Sequence, residues 1–159
     1  MSDEGNIGFM KEAVRLSIEN VAQGKGGPFG AVVVKNGKII ARGTNQVTAT
    51  NDPTAHAEVV AIRLACAALG SFQLEGCEIY ASCEPCPMCL GAIYWARPDK
   101  LYFANTKEDA SKINFDDQFI YKELARPFSE RKLFTRQMLR EEALEAFERW
   151  AKSEAKIEY

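Results

Sequence analysis

A chain of 159 residues, 47% hydrophobic and 26% charged, has the size and composition of one compact domain with a real core. Its formal charge of −2 lacks the basic excess that phosphate contacts demand, which weighs against a nucleic-acid partner. No apolar run is long enough to cross a bilayer, and Met1-Ser2-Asp3-Glu4-Gly5 has neither the basic residues nor the apolar stretch of a signal peptide, so the expectation is no membrane partner and a cytoplasmic compartment. Three of the five cysteines crowd between Cys83 and Cys89. In a reducing compartment that clustering reads as metal binding rather than disulfides.

Apolar residues at Ile7, Met10, Val14, Ile18 and Val21 predict a helix from Asn6 to Ala22, stopped by Gly24, Gly26, Gly27 and Pro28. Ala31-Val32-Val33-Val34 reads as a buried strand, Lys35-Asn36-Gly37-Lys38 as a hairpin turn, and Ile39-Ile40-Ala41 as the start of the return strand. Thr48 to Pro53 is a polar loop, and Thr54 is the expected N-cap of a helix running to about Leu69. Cys77–Ala81 is a third strand. A short helix begins near Cys86, with Pro87 in the favoured first position, and ends before Arg97-Pro98. Lys100–Ala104 is a fourth strand. Beyond Thr106 the pattern predicts a loop over Ile113–Asp117, a helix over Phe119–Ala125, an edge strand over Leu133–Leu139 and an amphipathic helix over Glu141–Lys156. Helices alternating with strands give an α/β sandwich in a single domain over residues 1–159.

The residues that carry chemistry are His56-Ala57-Glu58 and Pro85-Cys86-Pro87-Met88-Cys89. One imidazole and two thiolates can hold a zinc ion and leave its fourth position open to water, whose pKa then falls from ~15.7 toward ~7. H-x-E followed by P-C-x-x-C is the pattern of zinc-dependent base deaminases, in which the carboxylate moves protons without gripping the metal. Cys86 and Cys89 sit where a helix N-terminus favours thiolate. His56 and Glu58 would diverge inside a helix, so both can approach one ion only across a helix start. A rival reading uses Cys83 with Cys86, Cys89 and His56 as a closed structural site in an interaction protein, with Glu58 a surface acid. A Cys-x-x-Cys redox pair and an iron–sulfur site fit less well, the latter because Ile93 stands where a fourth cysteine is wanted.

Outside that cluster the bland reading leads. Gly24-Lys25-Gly26-Gly27-Pro28-Phe29-Gly30 fits no phosphate-loop pattern and is read as a tight turn. Phe29 is core or a pocket wall. Asn45 satisfies a turn or reads a base edge. Trp95 is packing before it is a stacking surface. Asp116-Asp117 is a solvated pair, and Tyr159 a frayed end.

The whole chain, from about Phe9 to Tyr159, resembles bacterial guanine deaminases of the cytidine deaminase superfamily. The resemblance rests on the Gly26–Val32 run, Asn51–Glu58, Ser82–Arg97, Phe115-Asp116-Asp117 and the closing Glu158-Tyr159. It implies a three-layer α/β/α sandwich with a central mixed sheet of about five strands. It also implies one zinc per subunit on His56, Cys86 and Cys89, and attack of water on carbon 2 of a purine base. Glu58 is then the proton carrier, with Asp117 on the amidine edge and a second shuttle. Asn45 meets the purine edge, Phe29 and Trp95 the ring, and Ala57 offers a backbone contact. The resemblance further implies a homodimer whose C-terminal segment, about residues 130–159, swaps onto the partner so that Tyr159 completes its pocket. Cys83 is then a neighbour of the site and no ligand. Two departures stand out: Asn114 occupies a position where glycine is expected, and residues 132–140 match less well. The related tRNA adenosine deaminases carry a basic C-terminal helix, whereas Glu141, Glu142, Glu145 and Glu148 populate this one.

Overall fold

The computed structural model describes residues 4–159, so Met1–Asp3, part of the segment read above as no signal peptide, lie outside the described residues. The chain divides into two compact units, one ending at Gln118 and the other spanning Phe119–Tyr159. No helix among the described residues is long and apolar enough to cross a membrane.

The first unit opens with α1 (Ile7–Ala22), whose N-terminus is capped by the Asn6 side chain accepting the Gly8 N–H. β1 (Gly30–Lys35) and β2 (Lys38–Thr44) form the expected hairpin. Asn36 and Gly37 both have positive φ, as a tight two-residue turn requires. Residues expected to be a polar loop instead wind into a one-turn helix, α2 (Val47–Thr50), with Thr50 Oγ1 donating to Gln46 O. α3 (Ala57–Leu69), β3 (Cys77–Cys83), α4 (Pro87–Ala96) and β4 (Lys100–Asn105) follow in the predicted order. α5 (Lys107–Ser111) is an addition. The Thr106 hydroxyl accepts from the Asp109 N–H and the Asp109 carboxylate accepts from the Thr106 N–H, a capping box carried by Thr106-Lys107-Glu108-Asp109.

The sheet order is β2-β1-β3-β4, antiparallel except for the parallel β3–β4 pair. Alternation along the central strands makes the layers. Ala31, Val33 and Ile79 point to one side, where Ala57, Ala61 and Ala65 of α3 and Ile93 and Ala96 of α4 join them. Val32, Val34 and Tyr80 point to the other, against Ala13 and Leu16 of α1. Helices therefore cover both faces of a mixed sheet, as expected.

Among the described residues the sheet has four strands, not about five. Leu133–Leu139 forms no strand: its residues lack period-two alternation, and Leu139 takes a left-handed φ of 52° that ends any extended run. The second unit consists of α6 (Gln118–Leu124, its first residue closing the first unit), a 3-10 turn at Phe128–Glu130, and α7 (Arg140–Lys152). α7 stops at an extended Ser153, four residues short of the predicted end. No residue from Phe119 to Tyr159 is buried.

Candidate active site

Two helix starts build the site. Before α3, the Asp52 carboxylate accepts from both the backbone N–H and the hydroxyl of Thr54, at 2.8 and 2.6 Å. That turn consumes Thr54, so it is not the N-cap. The helix begins three residues later, and His56, in extended conformation, is the N-cap. His56 thus stands outside the helix while Glu58 lies in its first turn, which lets both face one point. A close approach fixes that turn against the sheet. A Cβ on Gly43 would fall 2.2 Å from Ala57 O, so β2 can lie there only with glycine. α4 repeats the device, with Cys86 as an extended N-cap, Pro87 at the first position and Cys89 in the first turn. Neither His56 nor Cys86 makes a side-chain cap hydrogen bond, so both side chains are committed elsewhere.

They converge. The Sγ atoms of Cys86 and Cys89 each lie 3.5 Å from His56 Nδ1. Among the described residues, His56, Cys86 and Cys89 are the group whose ligand atoms sit close enough to share an ion, all within 4.8 Å of one another. A tetrahedral zinc with Zn–S of ~2.3 Å and Zn–N of ~2.05 Å has N···S edges of about 3.6 Å, so the donor set fits that ion in both chemistry and spacing. Cys83 does not belong to the set: its Sγ donates to Thr106 O at 3.7 Å. Burial pushes its thiol up to about 11. The closed four-ligand reading therefore loses its fourth donor.

The three donors are electrostatically coupled to one another. Cys86 is pulled down to about 4, first by the hydrogen bond from Cys89 and then by His56, while Cys89 is raised by holding that same proton. His56 is raised by its contact with Cys86. Glu58 is buried, 8% exposed, and accepts from Cys89 Sγ at 3.5 Å without joining the ligand group. Burial raises its pKa, the condition that suits a carboxylate to taking and returning a proton.

The loop after α5 brings in a second acid. Asp117 Oδ1 is a buried side-chain oxygen with no hydrogen-bond partner among the described residues. Desolvation raises this carboxyl, and the nearby charges of Cys86, Glu84 and Asp116 push it further. A buried orphan acceptor carries a penalty that a bound donor would relieve. Asn114, the departure noted above, has φ 68°; asparagine is the non-glycine residue best suited to that conformation, so the turn survives the substitution. Phe115 N–H donates to Ala110 O, and the Phe115 ring meets Phe29 edge-on with centroids 4.9 Å apart. Phe29 is thus half-buried at the margin of the core. Glu84, not singled out from sequence, ties this loop's helix to the metal segment, its Oε2 accepting from Lys107 N–H at 3.0 Å.

Asn45 is buried, with Oδ1 accepting from Val47 N–H at 3.2 Å, a turn bond that orients its carboxamide. Ala57 is buried at the first position of α3. Trp95 lies on α4 and Tyr159 ends the second unit; both are exposed.

A chain with an open His-Cys-Cys cluster at two helix starts on a mixed sheet is a zinc-dependent hydrolytic deaminase in architecture. The profile of the cytidine and deoxycytidylate deaminase zinc-binding region matches residues 4–105, and the chain belongs to that family. It is 56% identical over 151 residues to the guanine deaminase of Bacillus subtilis, covering 95% of this chain and 97% of that one. The X-ray structure of the B. subtilis guanine deaminase superposes with a TM-score of 0.94 over 98% of this chain and 99% of the other, at 54% identity. A guanine deaminase structure from Nitrosomonas europaea matches 71% of this chain and 65% of its own at 37% identity, with a TM-score of 0.67. The tRNA-specific adenosine deaminase of Aquifex aeolicus is 44% identical over 96 residues, 60% of this chain and 63% of its own.

Proposed function

We propose that this protein hydrolyses guanine to xanthine and ammonia. The observation that carries the reading is the three-donor cluster with a buried Glu58 beside it but outside the ligand set. The choice of guanine draws on likeness along the whole chain to a guanine deaminase, against 60% coverage by a tRNA adenosine deaminase. The acidic, exposed residues of α7 also disfavour an RNA backbone.

His56, Cys86 and Cys89 would hold one zinc per subunit. When bound, zinc supplies a Lewis acid that acidifies a water molecule. Glu58 takes a proton from the attacking water and gives it to the ring nitrogen next to carbon 2. The C–O bond forms first and makes carbon 2 tetrahedral; the remaining proton of the added hydroxyl then passes, with the help of Asp117, to the amino group, so that the C=O bond forms as the C–N bond breaks and the amine leaves as ammonia. Asp117 Oδ1 would also accept from the guanine amidine edge, which would relieve its orphaned state. Asn45 offers its amide to the purine edge, Ala57 a backbone group, and Phe29 and Trp95 aromatic surface to the ring.

The second unit fits a swapped homodimer. Leu133, Phe134, Phe147 and Tyr159 are all more than half exposed, and an amphipathic helix with no buried residue is one whose apolar side has its counterpart on another surface. In this reading the tail of one subunit, with Tyr159, closes the site of its partner in the cytoplasm. Purified protein with zinc, offered guanine, guanosine, cytosine and tRNA, should release ammonia from guanine with the highest kcat/KM; a preference for any of the others would overturn the substrate assignment.

A further inference from the structure

Asn20 attracted no attention in the sequence, yet it is a polar side chain near the end of α1 that is only 3% exposed. Its Nδ2 donates to two backbone carbonyls in different segments, Gly27 O at 2.8 Å and Asn45 O at 3.0 Å. Both segments carry groups assigned above to the base. Asn45 bears the carboxamide for the purine edge. Gly27 begins the short turn to Phe29, closed by Phe29 N–H donating to Gly27 O at 2.8 Å. Asn45 N–H donates back to Phe29 O at 3.2 Å.

The packing leaves this clamp little slack. A Cβ on Gly26 would fall 2.4 Å from Asn45 O and 3.2 Å from Asn20 Nδ2, so the glycine turn passes directly over the Asn20–Asn45 bond. A Cβ on Gly27 would meet both Phe29 and Phe115. From the other end, Ser82, 2% exposed, accepts the Gly30 N–H on its hydroxyl at 3.0 Å. Ser82 sits in β3, four residues before Cys86, so the same turn is fastened to the strand that leads into the metal segment.

From this we infer that Asn20 is a positioning residue that fixes the spacing between Asn45 and the Phe29 wall, and thereby the base preference of the site. The inference rests on the proposed guanine reading for the roles of Asn45 and Phe29. A side chain that donates two hydrogen bonds to two carbonyls cannot be replaced by an acceptor of the same shape. Asn20→Asp keeps the volume and removes the donors, whereas Asn20→Ala removes both.

The test compares Asn20→Asp, Asn20→Ala and Ser82→Ala with the parent for zinc content, kcat and KM on guanine, and the guanine-to-cytosine ratio of kcat/KM. Zinc should stay bound. The KM for guanine should rise about tenfold or more in both Asn20 variants with kcat within about threefold, and the guanine-to-cytosine ratio should fall about tenfold. Ser82→Ala should move both in the same direction by about threefold. Asn20→Asp behaving like the parent while Asn20→Ala does not would reduce Asn20 to a packing role and overturn the inference. Parental KM and parental ratio in every folded variant would do the same. Should the Asn20 variants fail to fold, Ser82→Ala decides by the same two readouts. A parent that ignores guanine but hydrolyses another base refutes the substrate reading alone, because the KM of that base across the variants still tests the clamp.

Discussion

The two units use similar apolar residues to opposite ends. In the first, Val33, Ile79, Tyr80 and their neighbours are almost fully removed from water between sheet and helices. In the second, Phe134 and Phe147 are 85% and 74% exposed, although the sequence marks α7 as amphipathic as clearly as it marks α1. Periodicity says which side of a helix is apolar. It does not say where the surface lies that will cover that side. The sheet supplies one for α1 and α3, whereas residues 119–159 alone supply none. The exchange between copies proposed above would supply that missing surface.

The largest expected effect belongs to the first unit. Glu58→Gln should retain zinc while kcat falls about a thousandfold, because general acid–base transfer is lost and the ligand set is not. Metal analysis alongside ammonia release checks this, and loss of zinc with activity would make Glu58 a ligand. Ile79→Ala should cost about 3 kcal/mol in urea unfolding, whereas Phe134→Ala should cost under about 0.5 kcal/mol in dilute protein. A larger Phe134 cost that grows with protein concentration would sharpen the contrast by revealing exchange. Asp117→Ala should lower guanine kcat/KM about a hundredfold with an unchanged melting curve, since the native carboxyl has an unpaired buried oxygen and contributes little to folding. Deleting residues 153–159 should cut kcat/KM about tenfold in a folded protein that still binds zinc; full activity would detach Tyr159 from catalysis.

The smallest effect is electrostatic. The Glu12 carboxylate accepts from Arg15 and Arg42, which lower its pKa from 4.5 to about 2. A folded-state pKa below the unfolded value adds stability above about pH 4.5 and loses it as the pH falls toward 2. Both arginines are about half exposed, so screening holds the contribution under about 1 kcal/mol. The parent and Glu12→Gln should therefore differ in urea midpoint at about pH 6, and the difference should shrink below about pH 4.5 and vanish only near pH 2.

Much of the site was legible because metal chemistry restricts residue type and spacing together. One histidine, a carboxylate two positions on and a downstream Pro-Cys-x-x-Cys leave few alternatives. The helix starts were less legible. Thr54 has the composition of an N-cap, but Asp52 captures its hydroxyl, and the true cap is a residue chosen to reach the cluster. The fifth strand failed for a related reason, since a strand exists only if something pairs with it. Asn20 and Ser82 left no pattern at all, because a single buried polar residue has no periodicity.

The sequence by itself determined the local rules: which helices are amphipathic, where Asn36-Gly37 turns, and which three donors suit a soft divalent ion. Tertiary structure decided everything that needs two distant segments to meet. It brought His56 to within 3.5 Å of two thiols about thirty residues away, aimed Cys83 at a carbonyl and not at the metal set, and left Asp117 Oδ1 buried without a hydrogen-bond partner among the described residues. The physical reason is that propensity and capping act over one or two helical turns, whereas ligation, desolvation and burial depend on which surfaces the folded chain presses together.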